Sequence, residues 1–377
     1  MLIYFYNLAS SNLSAIFHII KRSDRMHHSS FFKELTTFHK PQKAPFRLIG
    51  AGICMAVPLF IGYFSNNLLI GSFGSLGIFT FLYYQTLPLK ELLTLLSSVG
   101  GFLLFGNLVG VLSTHIPWVI PIAIALISFS ARIIFRLYRI AKPGAFFIVM
   151  VTAMGSGTKI PLDRVPTMMS YVLLGVLTSL VVAVILYFIE GETPVPQKKI
   201  SLQERLYTDP AALLDALHYA AILFLATYIS QSLHLTNAYW MIVSCAAVLQ
   251  GDNLRAVMHR NIQRILGTMI GLLIAALLLS ISFTSLETIF LICFFFLTVE
   301  FFIKRNYTIA NFFTTPMSLL LANLARHQYL VSLLNYRLIG IVLGSLLGLL
   351  GAFVLTTCLK FYNRAYQLNE NLDKETE

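Results

Sequence analysis

Residues 171–189 read YVLLGVLTSLVVAVILYFI, nineteen residues without one charged side chain. An α-helix rises about 1.5 Å per residue, so this stretch is long enough to cross the roughly 30 Å hydrocarbon core of a bilayer. Residues 102–113, 119–128 and 265–281 are further uncharged, apolar runs. Because these runs are continuous rather than alternating, they predict membrane-spanning helices and not β-strands.

The composition of the whole chain points to the same class of protein. Hydrophobic residues make up 57% of the 377 residues, and charged residues make up 11%. A typical soluble domain has roughly 25% charged residues, so this chain lacks enough charge for a water-facing shell. The four cysteines lie in or beside apolar runs without the spacing of a metal site, so we expect them to be reduced. The fold class is therefore an all-α, polytopic transmembrane helix bundle.

We predict twelve spans in two sets of six. The first set lies at about 47–65, 67–86, 91–113, 117–135, 144–158 and 167–189. The second set lies at about 212–231, 236–250, 261–282, 286–303, 308–325 and 333–359.

The basic residues predict the orientation, because Lys and Arg favour the cytoplasmic side of a membrane. If the N-terminus is cytoplasmic, 23 of the 27 basic residues fall on the inner side. The outer side then holds Lys159, Arg164, Arg326 and Arg337. The net charge of +11 is therefore a topology signal and does not indicate a nucleic-acid partner. With an even number of spans, the C-terminus is predicted to be cytoplasmic too.

A weak internal repeat links the two sets of spans. The halves share residues at an offset of 165, which drifts to 169 around residues 136–141 and their counterparts. The pairs at 165 include Gln85 with Gln250, Gly106 with Gly271, Tyr171 with Tyr336 and Gly175 with Gly340. Because each half has an even number of spans, both halves begin on the same side. The prediction is a parallel repeat with its pseudo-two-fold axis along the membrane normal.

These patterns divide the chain into five parts. They are a cytoplasmic N-terminal segment (1–46), a first six-helix repeat (47–189), a cytoplasmic linker (190–211), a second six-helix repeat (212–359) and a cytoplasmic tail (360–377). Residues 2–20 are apolar but polar at their centre, which favours an interfacial helix over a span. Met26 is an alternative start of the chain.

Glycines spaced four apart predict close helix packing. The pairs are Gly106 with Gly110, Gly267 with Gly271, and Gly340 with Gly344. In lipid, small residues on one helix face let two backbones approach each other. We predict static packing at these faces, with a sliding interface as the alternative.

The most informative segment begins at Tyr239 and Trp240 and ends near Arg264. The two aromatic residues lie at the predicted outer end of their span, where amphipathic rings favour the membrane interface. The functional alternative is a stacking surface for an aromatic solute. Arg264 is either a snorkelling anchor at the inner end of its span or a cation that faces the bundle interior and binds a carboxylate.

This segment resembles the fusaric acid resistance-like (FUSC) family of integral membrane bound transporter domains. The family pattern is Tyr-Trp, an apolar span ending in a polar residue, a basic loop, and Arg-x-x-Gly-Thr-x-x-Gly. Here these positions are Tyr239-Trp240, Gln250, Arg255 with Arg260, and then Arg264, Gly267, Thr268 and Gly271. The resemblance is best over 212–359 and weaker over 47–189, where Tyr-Trp becomes Phe73-Gly74. It implies a bacterial inner-membrane exporter of aromatic or other organic acids.

Two downstream motifs extend the resemblance. Residues 307–316 (YTIANFFTTP) resemble the next family block, and Arg337-x-x-Gly340 resembles its last helix. We predict that Arg264 and Arg337 bind the anion and that Tyr239 and Trp240 stack on it. Asn311 and Thr315 complete the predicted substrate site. Pro316 predicts a kink in this span, which is either static or part of a site.

Three ionisable residues are candidates for coupling transport to protons. Asp215 and His218 share a helix face, and the alternative for them is a solvated pair at the inner membrane edge. Glu300 lies four residues before Lys304, a spacing that favours an ordinary ion pair; the alternative is a coupling carboxylate.

The function predicted from the sequence is secondary efflux of organic, in particular aromatic, acids. A passive anion channel and a non-transporting scaffold subunit are the alternatives. No enzyme motif is present; residues 155–159 (GSGTK) lack the Gly-Lys-Ser/Thr ending of a phosphate-binding loop. We expect no cofactor, metal or nucleic acid. The expected partners are the lipid bilayer and a small organic anion, and a homo-oligomer or additional efflux subunits remain open.

Overall fold

The structure is a computed structural model that describes residues 45–141, 143–191, 204–205, 209, 211–251, 254–325 and 330–376. The predicted interfacial helix at 2–20 and most of the predicted linker at 190–211 lie outside these residues. Twelve α-helices make up most of the described chain. They are α1 (Pro45–Phe64), α2 (Leu68–Gly77), α3 (Leu89–Ser113), α4 (Ile120–Leu137), α5 (Phe146–Ser156), α6 (Val165–Glu190), α7 (Ala211–Ser232), α8 (Tyr239–Val248), α9 (Leu254–Leu279), α10 (Ser285–Phe302), α11 (Tyr307–Ala325) and α12 (Leu330–Thr376).

The helices begin and end where the local sequence dictates. Asn67 accepts a hydrogen bond from the Leu69 backbone N–H at the start of α2. Thr284 and Glu287 form a capping box at the start of α10, which satisfies N–H groups that the helix leaves free. Helix α6 ends at Gly191, whose φ of 56° lies in the left-handed region that favours glycine.

The helices differ in length more than we predicted from the sequence. Eight are long and apolar enough to cross a membrane, namely α1, α3, α4, α6, α7, α9, α10 and α12. Three are shorter, namely α2 with its following 3₁₀ turn (Leu68–Tyr83), α5 and α8. Helix α8 has 10 residues, so it rises only about 15 Å, half of a typical hydrocarbon core. The twelve predicted spans therefore correspond to twelve helices among the described residues, of which eight are candidate membrane spans and α2, α5, α8 and α11 are not.

The four helices α2, α5, α8 and α11 each lie against a long helix through a glycine. A Cβ atom on Gly175 of α6 would meet the Gly74 carbonyl of α2, and one on Gly110 of α3 would meet the Thr152 carbonyl of α5. In the same way, Gly344 of α12 lies on α8 at Met241. Gly271 of α9 lies on α11 at Thr315. These close approaches hold α2, α5, α8 and α11 against the long helices α6, α3, α12 and α9.

Among the described residues, four helix pairs make the main contacts between the first half of the chain and the second. Helix α4 packs against α7, α1 against α10, α5 against α8 and α2 against α11. One apolar core of buried residues draws on both halves, for example Leu92 from the first and Phe296 from the second. The outer surface carries exposed apolar side chains such as Phe188, Leu273 and Leu277, as expected of a surface that faces lipid.

Candidate functional site

A cavity of about 450 Å³ lies between the two halves. Its walls come from α2, α5, α8 and α11, together with parts of α3, α9, α10 and α12. Short helices end inside the thickness of the bilayer, and such ends are tolerated only where protein covers them or where they line a cavity. The short helices α2, α5 and α8 all contribute to the wall of this cavity.

The first half supplies an apolar, aromatic wall. Phe79 and Phe147 stack with ring centroids 4.6 Å apart and an angle of 11° between the rings. Leu76, Met150 and Met154 extend this wall along the cavity. Among the described lining residues, the first half contributes polar groups such as Asn107 but no charged side chain. This wall suits the apolar body of a ligand.

The second half supplies the charge. Its lining residues include four cations and one carboxylate, namely Arg260, Arg264, Lys304, Arg337 and Glu300. The described lining is therefore strongly cationic on one side. Since charges act more strongly on each other away from bulk water, this side attracts an anion.

Arg337 is the most deeply buried of these cations. Its side chain is 3% exposed, and its guanidinium lies 3.6 Å from the centre of the Trp240 ring. Neither Nε nor Nη1 of Arg337 has a hydrogen-bond partner among the described residues. A guanidinium buried in this way is stabilised by its contact with the aromatic ring, and its N–H groups are available to an anion.

Arg264 is buried too, and it has partners. Its Nε donates to the Ser244 hydroxyl at 3.0 Å, and its Nη1 donates to the Tyr307 hydroxyl at 3.2 Å. The structure therefore places Arg264 inside the bundle, one of the two alternatives that the sequence left open. Its hydrogen bonds to two neighbouring helices hold the guanidinium within the bundle, and α9 begins at Leu254, ten residues earlier.

Tyr239 and Trp240 face the cavity rather than the membrane interface. Their side chains are 8% and 4% exposed, and their ring centroids lie 4.5 Å apart. Tyr239 packs against Gly157 at the end of α5, where a Cβ atom would clash with the tyrosine ring. The exposure expected of an aromatic residue at the membrane interface is found at Trp118 instead, whose side chain is 72% exposed.

Asn311 and Thr315 lie one turn apart on α11 in different surroundings. Asn311 lines the cavity and donates from Nδ2 to the Tyr307 carbonyl at 2.8 Å. Thr315 packs on Gly271 and donates to the Asn311 carbonyl at 3.2 Å. Thr315 is not part of the cavity wall, whereas its neighbour Thr314 is.

The three coupling candidates do not lie together. Glu300 lines the cavity, and the ion pairs of the described residues do not include Glu300 with Lys304. Asp215 lies away from the cavity and binds Arg132 at 2.8 Å. His218 also lies outside the cavity wall, and its Nε2 contacts the Gly351 carbonyl at 2.9 Å.

Sequence reasoning missed part of the cavity. Arg260 was read only as part of a basic loop, yet it lies over the Tyr307 ring at 4.8 Å. Its spacing of four residues from Arg264 places the two on one helix face, which was a usable signal. Phe79 and Phe147 gave no such signal, because their sequence context is that of any lipid-facing apolar run.

The fold and its surface define the class of the protein. The part of the chain that the structure describes is helical, with eight candidate spans and an apolar exterior, which defines a polytopic integral membrane protein.

Comparison with known families agrees with this class. Residues 225–351 match the family described as fusaric acid resistance protein-like, so the resemblance that the motifs predicted is confirmed for this segment. A curated relative, the uncharacterized membrane protein YvaC of Bacillus subtilis (strain 168), is 31% identical over 149 residues. The aligned region covers 38% of this chain and 23% of the relative, so the chain spans less than a quarter of that protein. No solved structure matches the chain at a significant level.

Proposed function

We propose that this chain is a membrane transporter for organic, in particular aromatic, anions, and that it works by secondary efflux. The observation that carries the proposal is the division of the cavity wall into a cationic side and an apolar side. An aromatic carboxylate has the same division, with a charge at one end and an apolar ring at the other. The match of residues 225–351 to the fusaric acid resistance protein-like family supports the same solute class.

The proposed architecture is two parallel six-helix repeats. The helix contacts support it, because the pairs α3–α5, α2–α6 and α3–α6 have counterparts six helices later in α9–α11, α8–α12 and α9–α12. The contacts between the halves follow the same rule, since α4–α7 corresponds to α10–α1 and α5–α8 corresponds to α11–α2. A pseudo-two-fold axis would then pass between the halves, where the cavity lies.

The proposed location is the bacterial inner membrane with both termini in the cytoplasm. In this orientation Arg260 and Lys304, near the start of α9 and the end of α10, lie at the cytoplasmic mouth of the cavity. Cations at a mouth raise the local concentration of anions. Their position supports capture from the cytoplasm, which is the first step of export.

Transport by purified protein tests the proposal. We expect proteoliposomes to move labelled benzoate faster than protein-free liposomes, which give the leak of the neutral acid. The double variant Arg260→Gln, Lys304→Gln removes the two cations at the cytoplasmic mouth of the cavity. It should transport benzoate about tenfold more slowly than the parent protein at low ionic strength, and added salt should reduce this difference in rate between variant and parent. The matched control is Arg164→Gln with Lys90→Gln, which removes two exposed cations outside the cavity wall.

The same assay separates the alternatives. When a pH gradient is applied, a carrier coupled to protons accumulates benzoate beyond the level that protein-free liposomes reach under the same gradient through diffusion of the neutral acid. A passive channel gives anion conductance and no accumulation. A scaffold subunit gives neither, and benzoate flux equal to that of protein-free liposomes would contradict the transport proposal.

A further inference from the structure

Arg264 and Arg337 are both buried, but their guanidinium groups differ in their contacts. Arg264 is 6% exposed and donates hydrogen bonds to two hydroxyls of the protein, on Ser244 and Tyr307. Arg337 is 3% exposed, and two of its nitrogens lack a partner among the described residues. Both line the same cavity, so a difference in burial does not explain the contrast. The contrast points to two different roles.

Arg264 ties four helices together. From α9 it reaches Ser244 on α8 and Tyr307 on α11. The Ser244 hydroxyl continues to α12, where it lies 3.1 Å from the Ile341 carbonyl and 3.0 Å from the Ser345 hydroxyl. A guanidinium held in this way has donors occupied by the protein. Its removal would leave buried hydroxyls without their partner.

Arg337 has the contacts of a ligand-binding group. Its guanidinium lies 3.6 Å from the centre of the Trp240 ring, and its Nε and Nη1 have no partner among the described residues. A buried cation without a counterion is costly, and a bound carboxylate offsets that cost through paired N–H···O contacts. The apolar wall of the first half offers a place for the rest of such a ligand.

We propose, on the basis of the function proposed above, that Arg337 stacked on Trp240 binds the carboxylate of the substrate. Arg264 is a positioning residue that holds α8, α11 and α12 around that site. Among the described residues, the repeat-equivalent positions of the first half hold no such pair. At the repeat offset of 165, the counterparts of Arg264 and Arg337 are Val99 and Val172, both buried. One carboxylate therefore binds per chain.

The experiment measures binding and stability without requiring flux. The chain has two tryptophans, and Trp118→Phe leaves Trp240 as the single one. The ligand is cyclohexanecarboxylate, which has an apolar body and does not absorb where tryptophan emits. Cyclohexylmethanol, with the same ring and no charge, is the matched control ligand. Trp240 emission gives the affinity and stoichiometry, and thermal unfolding in detergent gives the Tm with and without ligand.

The two arginines should respond in opposite ways. Arg337→Gln should weaken binding at least about tenfold and abolish the Tm increase caused by the ligand. The Tm of the free protein should stay the same or rise, because an uncompensated buried cation is removed. Arg264→Gln should lower the Tm of the free protein and retain the ligand-induced increase. Ser244→Ala with Tyr307→Phe, which keeps the Arg264 charge, should reproduce the Arg264→Gln result and serves if Arg264→Gln does not fold.

The outcomes distinguish this inference from the proposed function. If the parent protein binds the carboxylate and Arg337→Gln binds it equally well, the role of Arg337 is wrong and the transport proposal stands. If the Ser244→Ala, Tyr307→Phe variant loses binding without losing stability, the positioning role of Arg264 is wrong. If the parent protein binds cyclohexanecarboxylate no better than cyclohexylmethanol, both proposals fall.

Discussion

Gly344→Val is expected to destabilise the folded protein strongly and to lower its yield. A Cβ atom at Gly344 would overlap the Met241 carbonyl of α8, and backbone atoms cannot turn aside as a side chain can. Overpacking typically costs about 1–3 kcal/mol, and a clash with backbone lies at the upper end of that range, a large part of a typical total stability of roughly 5–15 kcal/mol. The variant should give little monodisperse protein in detergent, and its thermal unfolding should lie well below that of the parent.

Gly101→Val is the matched control for this prediction. Gly101 also lies inside a long helix, α3, but nothing lies within 4 Å of where its Cβ would be. Both variants place the same β-branched residue in a helix, so they share the same small propensity effect. If Gly344→Val is as stable as Gly101→Val, the close crossing of α8 and α12 is wrong.

Asp215→Asn is expected to weaken the contact between the two halves. Asp215 on α7 binds Arg132 at 2.8 Å and Arg136 at 3.0 Å, and both arginines belong to α4. The Asp215 side chain is 17% exposed, so its loss leaves two cations partly buried with less compensation. The free energy of unfolding should fall by about 2 kcal/mol, less than for a fully buried pair because water screens part of the interaction.

Two comparisons make this result specific. Asp163→Asn removes an exposed carboxylate on the turn before α6 and should leave the Tm unchanged. Combining Asp215→Asn with Arg132→Gln should cost less than the sum of the two single changes, because the two residues interact directly. Strict additivity would show that the pair adds nothing to the stability of the α4–α7 contact.

The helices could be predicted from the sequence more readily than their lengths. Long uncharged runs identify helices in any membrane protein, and the glycine spacing indicated where backbones approach. The ninth span is predicted to begin at about 261, because Arg255 and Arg260 indicate a basic loop, whereas helix α9 begins at Leu254. Basic residues usually mark the edge of a membrane span. A helix whose face packs against other helices can also hold basic residues within its own length.

The candidate site was only partly visible in the sequence. Arg264, Arg337, Tyr239 and Trp240 lie in motifs, and all four line one cavity. The partners that separate the two arginines lie on other helices, so their contacts depend on how α8, α9, α11 and α12 pack. The position of Thr315 could not be predicted from the sequence either. Thr314 lines the cavity, whereas Thr315, the next residue on α11, packs on Gly271.

The excess of positive charge in the cavity has a practical consequence for anyone who purifies this protein. Four cations and one carboxylate line a space of about 450 Å³, so small anions of the preparation compete for the same groups. Anything that binds only the folded state raises the apparent stability in proportion to the logarithm of its concentration. Chloride, sulfate and acetate buffers will therefore yield different melting temperatures, and a weakly coordinating buffer anion is the proper baseline.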